Sequence, residues 1–290
     1  MRRQTQSWVA SPLGRNSLLA LFKNNDKQNV SKYQQIQKTL RNKQNVKTCN
    51  KIFHSDTSNV KDNLSSIADV ERVDFQNIQS AFTSWVICSL LKHTTFEGLT
   101  TTFLSTKEAL LLANISNFTD KWNCSEKRGS IMKIYNSFSY TEDIKYEASL
   151  LELPMHDEEF KLVILVPNEA DVLNDLFKKL TSDGLTAATG CITPLFTSVC
   201  ELNAPNIEFI STSNKIQESV NSMTLTATEF GNVKINEEGV SIKVLTCFSS
   251  NIQAEVSTVT KPEKAHKPFY FAIIFKDMPL FTGYFENLNK

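Results

Sequence analysis

Hydrophobic and polar positions along the chain recur at two periods. Residues 29–47 carry Val30, Tyr33, Ile36 and Leu40 at helical spacing with Lys and Gln between them, and predict a helix. Residues 74–91 predict a second. Phe75, Ile78, Phe82, Val86 and Leu90 form one stripe, and Asp74 stands where a cap is needed. The run 106–118 is almost wholly apolar, as in a strand buried on both faces. Residues 146–153 and 160–166 read as strands joined by the turn-like 154–159. Residues 171–181 read as a short helix capped by Asp171, with Leu173, Leu176, Phe177 and Leu180 inward. Strand-like runs follow at 197–202, 206–211, 240–246, 269–275 and 280–285. No repeat, linker or low-complexity tract divides the chain. Residues 1–290 therefore read as one α+β domain with much antiparallel sheet.

Composition adds that a sizeable core is within reach, since 41% of residues are hydrophobic and 19 are Phe. Lys plus Arg and Asp plus Glu both number 31, so global charge does not drive binding to nucleic acid or membrane. The zero hides an asymmetry. Residues 1–53 carry a net charge of +10 and the remainder −10, which marks the N-terminal segment as a candidate anionic contact. The apolar run Leu18–Phe22 is too short for a secretion signal, and no stretch approaches the roughly 18 apolar residues of a membrane span. A cytoplasmic protein without membrane contact is expected. The six cysteines are scattered, with no CxxC and no neighbouring His. They read as free thiols rather than zinc ligands or a disulfide framework.

Searches for catalytic chemistry return little. There is no GxSxG elbow, Walker loop or GxGxxG. The four histidines (His54, His93, His156, His266) have no spacing that would share a metal, and Asp157-Glu158-Glu159 reads as a solvated turn. No enzymatic activity and no cofactor are expected. The informative segment is 229–269. A strand-like Gly231–Ile235 leads to Asn236-Glu237-Glu238-Gly239. A near-perfect alternation follows, with Val240, Ile242, Val244 and Thr246 on one face. After it, Ser249–Lys261 is polar and predicts no element of its own, and long structureless loops in compact domains are usually functional or disordered. An edge strand with a loose connection and a bait loop with an insertable stem both fit this pattern.

At these residues the sequence resembles the serpins, the serine-protease-inhibitor family. Asn236-Glu237-Glu238-Gly239 resembles that family's proximal hinge, and Ser11-Pro12-Leu13 the start of its helix B. Val73-Asp74-Phe75 with Ser84-Trp85-Val86 resembles its helix F, and Asn114–Trp122 its breach strand. Residues 150–167, Lys267-Pro268-Phe269 and Leu280-Phe281-Thr282-Gly283 resemble its core strands, all in family order. The resemblance implies a serpin fold with large, mostly antiparallel sheets and an exposed reactive-centre loop at about 239–266. It implies a suicide substrate: a protease cleaves the loop, an acyl-enzyme forms, and the stem inserts into the large sheet as an added strand. Hinge residues are then Glu237, Glu238, Gly239, Val240, Ile242 and Val244, and shutter and breach residues Ser11, Asn114, Trp122 and Glu229.

This chain departs from the family pattern in several places. Ile242, Lys243, Val244 and Leu245 stand where small residues are usual. Gly14 replaces a shutter Ser, and Glu229 stands at the shutter His position, where a carboxylate needs a partner or a raised pKa. A non-inhibitory serpin-fold binding protein is the alternative. Family spacing puts the scissile bond within Gln253, Ala254, Glu255, Val256, Ser257 and Thr258. That window lacks Lys and Arg, so the expected target is a serine or cysteine protease that is not trypsin-like. The helix A and helix C/D regions are shortened. The basic helix at 29–47 offers Lys32, Lys38, Arg41, Lys43 and Lys47 as contacts to a polyanion such as heparin, against the plainer reading of a solvated helix. The trimmed length resembles the small poxvirus serpins. That likeness implies a monomer acting on host proteases in the cytoplasm of an infected cell. Sequons at Asn29, Asn63, Asn114, Asn117 and Asn123 are expected to be fortuitous.

Overall fold

A computed structural model describes residues 6–22, 35–55, 68–89, 104, 110–123, 126–128, 131–134, 139–169, 175–176, 178–180, 184–190, 200–203, 206–220, 223–250, 257–260 and 267–286. In chain order the elements are β1 (Trp8–Ala10), α1 (Pro12–Phe22), α2 (35–41), β2 (Val46–His54), β3 (Asp69–Arg72) and α3 (Ile78–Ser89). Then come β4 (Leu110–Lys121), β5 (Glu126–Arg128), β6 (Ile131–Ile134), β7 (Ser139–Asp143), β8 (Ala148–Pro154), β9 (Phe160–Pro167) and α4 (Leu185–Thr189). The remainder is β10 (Cys200–Asn203), β11 (Ile207–Val220), β12 (Met223–Asn236), β13 (Gly239–Ser249), β14 (Ser257–Thr260), β15 (Phe269–Phe275) and β16 (Met278–Phe285).

These strands form three sheets. A six-stranded sheet has the order β1-β16-β15-β9-β8-β7, and a three-stranded one β10-β6-β5. A seven-stranded sheet runs β14-β11-β12-β13-β4-β2-β3 and is antiparallel except for the β2–β3 pair. The main core lies between the seven- and six-stranded sheets. Phe118, Phe209, Val233, Val240, Ile242 and Val244 of the first pack with Phe160, Phe271, Phe275 and Phe281 of the second. Farther along the same face of the large sheet, Leu18, Leu19 and Leu21 of α1 cover Ile52, Leu112, Ala227 and Phe248. On its opposite face, Phe82 and Val86 of α3 cover Phe53, Ile115, Leu245 and Cys247.

Helix α3 starts as the stripe predicts. A 3-10 turn at Phe75–Asn77 leads in, and Asp74 caps it by accepting the Gln76 N–H. β4 is buried along most of its length, as its apolar run requires. β8 and β9 fall where expected. Of the helix over 171–181, Asp171, Leu173 and Phe177 lie outside the described residues, while 175–176 and 178–180 are helical.

Two expectations are corrected. Of the helix expected over 29–47, residues 29–34 lie outside the described residues and 35–41 are helical with Leu40 buried, but Val46–His54 is a strand instead. Polar residues disguised that strand, because Asn50 and Lys51 point into buried positions and break the apolar alternation. Lys51 lies between the carboxylates of Asp69 and Glu71. The second correction concerns residues 239–249, expected as the stem of an exposed loop. They form β13, in the middle of the large sheet. The polar stretch beyond also contains a strand, β14, on the sheet's edge against β11.

Candidate functional site

The site is the slot that β13 fills. β13 is laddered to β12 from Gly239 to Ser249 and to β4 from Gly239 to Phe248. Val240, Ile242 and Val244 enter the main core, and Phe248 lies under α1. Leu245 and Cys247 point to the other face beneath α3. The bulky Leu245 is therefore accommodated by the α3 cluster.

At the hinge end, Asn236 and Gly239 face each other, and Glu237 and Glu238 make a two-residue turn. The Asn236 side-chain carbonyl accepts the N–H of Glu238 (2.9 Å) and of Gly239 (3.3 Å). Gly239 has a φ of +154°, and a Cβ there would lie 2.1 Å from the Asp120 carbonyl oxygen. Only glycine fits. Trp122 donates from its indole to the Asn236 carbonyl (2.7 Å) and so holds the last residue of β12. An open cleft of about 910 Å³ lies at this mouth, lined by residues that include Asn45, Lys121, His156, Lys234 and Ser241.

Midway along the slot lies a polar row. Ser213, Glu229, Thr246, Asn114 and Asn50 are successive cross-strand partners on β11, β12, β13, β4 and β2, and all are buried. They sit where the main core gives way to the α1 core. Asn114 donates to the Asn50 side-chain oxygen (2.8 Å), Thr48 Oγ1 (3.0 Å) and the Cys49 carbonyl (3.3 Å), and accepts from Ser116 Oγ (2.8 Å). A Cβ on Gly14 would lie 2.2 Å from Asn114 Oδ1, so the amide occupies the room that a second Ser would need.

Above the row stands the first turn of α1. Ser11 caps it by accepting the Gly14 N–H (3.0 Å), and Pro12 takes the first helical position. Glu229 meets this helix start. Its Oε1 accepts the Ser11 N–H (3.2 Å) and the Thr246 hydroxyl (3.3 Å), and its Oε2 accepts from the Arg15 guanidinium (2.8 Å). Glu229 is only 5% exposed. Its partners are a helix N-terminus and an arginine, both hydrogen-bond donors. The sequence flagged Glu229 as needing a partner and missed that Arg15 supplies it. The one available signal was that Arg15 lies four residues after Ser11, hence on the same helix face.

The other expected residues are placed as follows. Gln253, Ala254, Glu255 and Val256 lie outside the described residues, and Ser257 and Thr258 open β14 opposite Thr212 and Ser211. The basic set does not form one helix face. Lys38 and Arg41 are exposed on α2, Lys47 is on β2, and Lys32 is outside the described residues. Lys43 lies in the turn after α2, where it pairs with Asp157 (2.8 Å) and Glu159. Burial pushes the thiols of Cys49 and Cys247 above their ordinary range, which makes them poor nucleophiles.

No family model matches the chain. A sequence match is found with human Serpin B4, 27% identical over 173 residues, which is 48% of this chain and 43% of that protein. The chain thus matches less than half the length of that relative. Among solved structures, cleaved Serpin 42Da is similar with a TM-score of 0.73 at 18% identity, covering 100% of this chain and 94% of that one. A thermophilic serpin, tengpin, in its latent state gives 0.72 at 15% identity over 99% and 93%. A loop-inserted cleaved ovalbumin mutant gives 0.63 at 14% identity over 96% and 92%. Fold and sequence likeness agree: the chain has the serpin fold, and its sequence is similar to that of a serpin over about half its length.

Proposed function

We propose that the chain is a protease inhibitor that works as a suicide substrate. One observation carries this reading: the segment 239–249 fits the centre of the large sheet with ladders on both sides and its core-facing side chains buried. In the proposed cycle a protease nucleophile attacks a carbonyl within 253–258. The amide nitrogen leaves as the new amino terminus, and the acyl group stays on the enzyme. The stem then enters the slot and carries the acylated protease away from its water-activating geometry before hydrolysis. Each of Val240, Ile242 and Val244 contributes about 1.5–3 kcal/mol on full burial. The absence of Lys and Arg from the window favours a serine or cysteine protease without trypsin-like preference. The reading extends to a virus-borne inhibitor of host proteases, acting as a monomer in the host cytoplasm. A polyanion contact would not use Lys43, which two carboxylates already engage.

A second reading has its own observation. The stem is seated here in an uncut chain, an arrangement that presents no stem to a protease. A non-inhibitory binding protein would be built this way. A panel of serine and cysteine proteases separates the two. An inhibitor yields an SDS-stable covalent complex, a cut between residues 250 and 259, and a cut product that melts at higher temperature. Val240→Arg abolishes the complex while loop cleavage continues. Cleavage without complex and without a gain in melting temperature selects the second reading.

A further inference from the structure

The part-buried pair Arg15–Glu229 belongs to neither the hinge nor the loop, and it touches the inserted strand. Thr246 is the residue of β13 directly opposite Glu229, and its hydroxyl donates to Glu229 Oε1. Arg15 holds the other oxygen, Oε2, and the Ser11 N–H shares Oε1. The carboxylate is thereby fixed from the α1 side, with one oxygen aimed into the slot. On the opposite wall Asn114, the other cross-strand neighbour of Thr246, is saturated by Asn50, Thr48, Cys49 and Ser116. Within the row, Glu229 is thus the wall group whose hydrogen bonding includes a contact to the stem.

We propose that Arg15 and Glu229 form a positioning pair that sets the register of the stem by receiving the hydroxyl at residue 246. A strand slipped by two residues keeps the same face inward but brings Val244 or Phe248 against the carboxylate. Either choice removes one of the two hydrogen bonds that the buried Oε1 accepts and sets an apolar side chain against it. A slip by one residue turns the apolar set out of the core. The apolar alternation of β13 specifies which face goes in. Glu229 then specifies which residue meets α1. Arg15 acts through Glu229, by fixing the carboxylate and neutralising it where water is excluded. The inference deepens the inhibitor reading, because it concerns the same slot, but its readout requires no protease.

The test is amide hydrogen exchange of residues 239–249 in the full chain, read by mass spectrometry against the flanking β4 and β12. Thr246→Val should raise exchange of the stem by about ten-fold relative to those neighbours, and Thr246→Ser should restore most of the protection. In the Arg15→Gln/Glu229→Gln double variant, which removes both charges and keeps both positions polar, the effect of Thr246→Val should shrink to about two-fold or less. Equal effects of Thr246→Val in both backgrounds, or none in either, overturn the proposal. If the double variant does not fold, Arg15→Lys replaces it, and an undiminished Thr246→Val effect there again counts against the pair. Coupling without any covalent protease complex leaves the positioning pair standing and removes the inhibitor reading. Protease trapping without coupling does the reverse.

Discussion

Gly239 and Arg15 are the two residues whose identity matters most relative to their size or prominence in the sequence. At Gly239 a Cβ would collide with backbone, the Asp120 carbonyl, which cannot rotate away. Gly239→Ala should therefore destabilise the stem-inserted chain by about 1–3 kcal/mol, against a few tenths for the exposed neighbour Glu238→Ala. Denaturant midpoints of the two variants check this. Gly239 was legible because a Gly after two turn residues and before an alternating strand has few other meanings. Arg15 was not legible. Its partner lies 214 positions away, and a long-range pairing leaves no periodic trace in the sequence. What could be read was the partner's need, a carboxylate at a position expected to be buried.

At the scale of elements, β13 was readable and β2 was not, for one physical reason. A strand announces itself when its buried side is uniformly apolar. β13 has Val240, Ile242 and Val244 inward and keeps the period. β2 buries Asn50 in the polar row and Lys51 between two acids, so its inward positions look like outward ones. The turn between α2 and β2 is fastened from outside. Lys43 reaches Asp157 and Glu159 in the β8–β9 turn, Lys276 also reaches Glu159 (3.3 Å), and Asn45 donates to Asp120 (3.2 Å). The hydrogen bond from Lys43, then that from Lys276, holds the Glu159 carboxyl below its ordinary 4.5. Hydrogen bonds to Asp157 and Glu159 in turn raise the Lys43 ammonium above its ordinary 10.5. A carboxyl with a lowered folded pKa adds stability that is fully present above its unfolded value and is lost as pH falls through the folded one. An ammonium with a raised pKa adds stability lost only at high pH. The fastening thus holds between these limits. Acidification below about pH 4.5 should lower the melting temperature of the wild type more steeply than that of Lys43→Met. Parallel melting curves for the two from pH 6 to pH 3 would show that the cluster adds nothing.

On the scale of the whole molecule, β13 threads three packed regions at once. Its residues enter the main core, the α1 core and the α3 cluster. The three tryptophans happen to report on different places. Trp8 packs on the outer face of the six-stranded sheet, Trp85 sits on α3 against Phe53 of the large sheet, and Trp122 lies at the mouth of the slot. With β13 seated, variants that keep one Trp and carry Phe at the other two should unfold with coincident midpoints in guanidinium. An early transition at Trp85 alone would mean that α3 lifts off the sheet as a separate unit. The fold class was visible from the order of the strands and helices. That the loop stem already lies inside the sheet was not, because the same alternation serves a strand waiting outside a slot and one within it.

The two-residue turn at Glu237–Glu238 has a kinetic consequence. It leaves β13 no slack relative to β12, so the strand faces its slot at an effective concentration of millimolar or more, set by the tether rather than by the solution. A strand from a second copy, or a free peptide of the same sequence, must approach that concentration to compete for the place. The tether thereby makes the sheet its own preferred partner. The edges of β12 and β4, which an empty slot would offer to a neighbouring chain, are closed from within before a neighbour arrives.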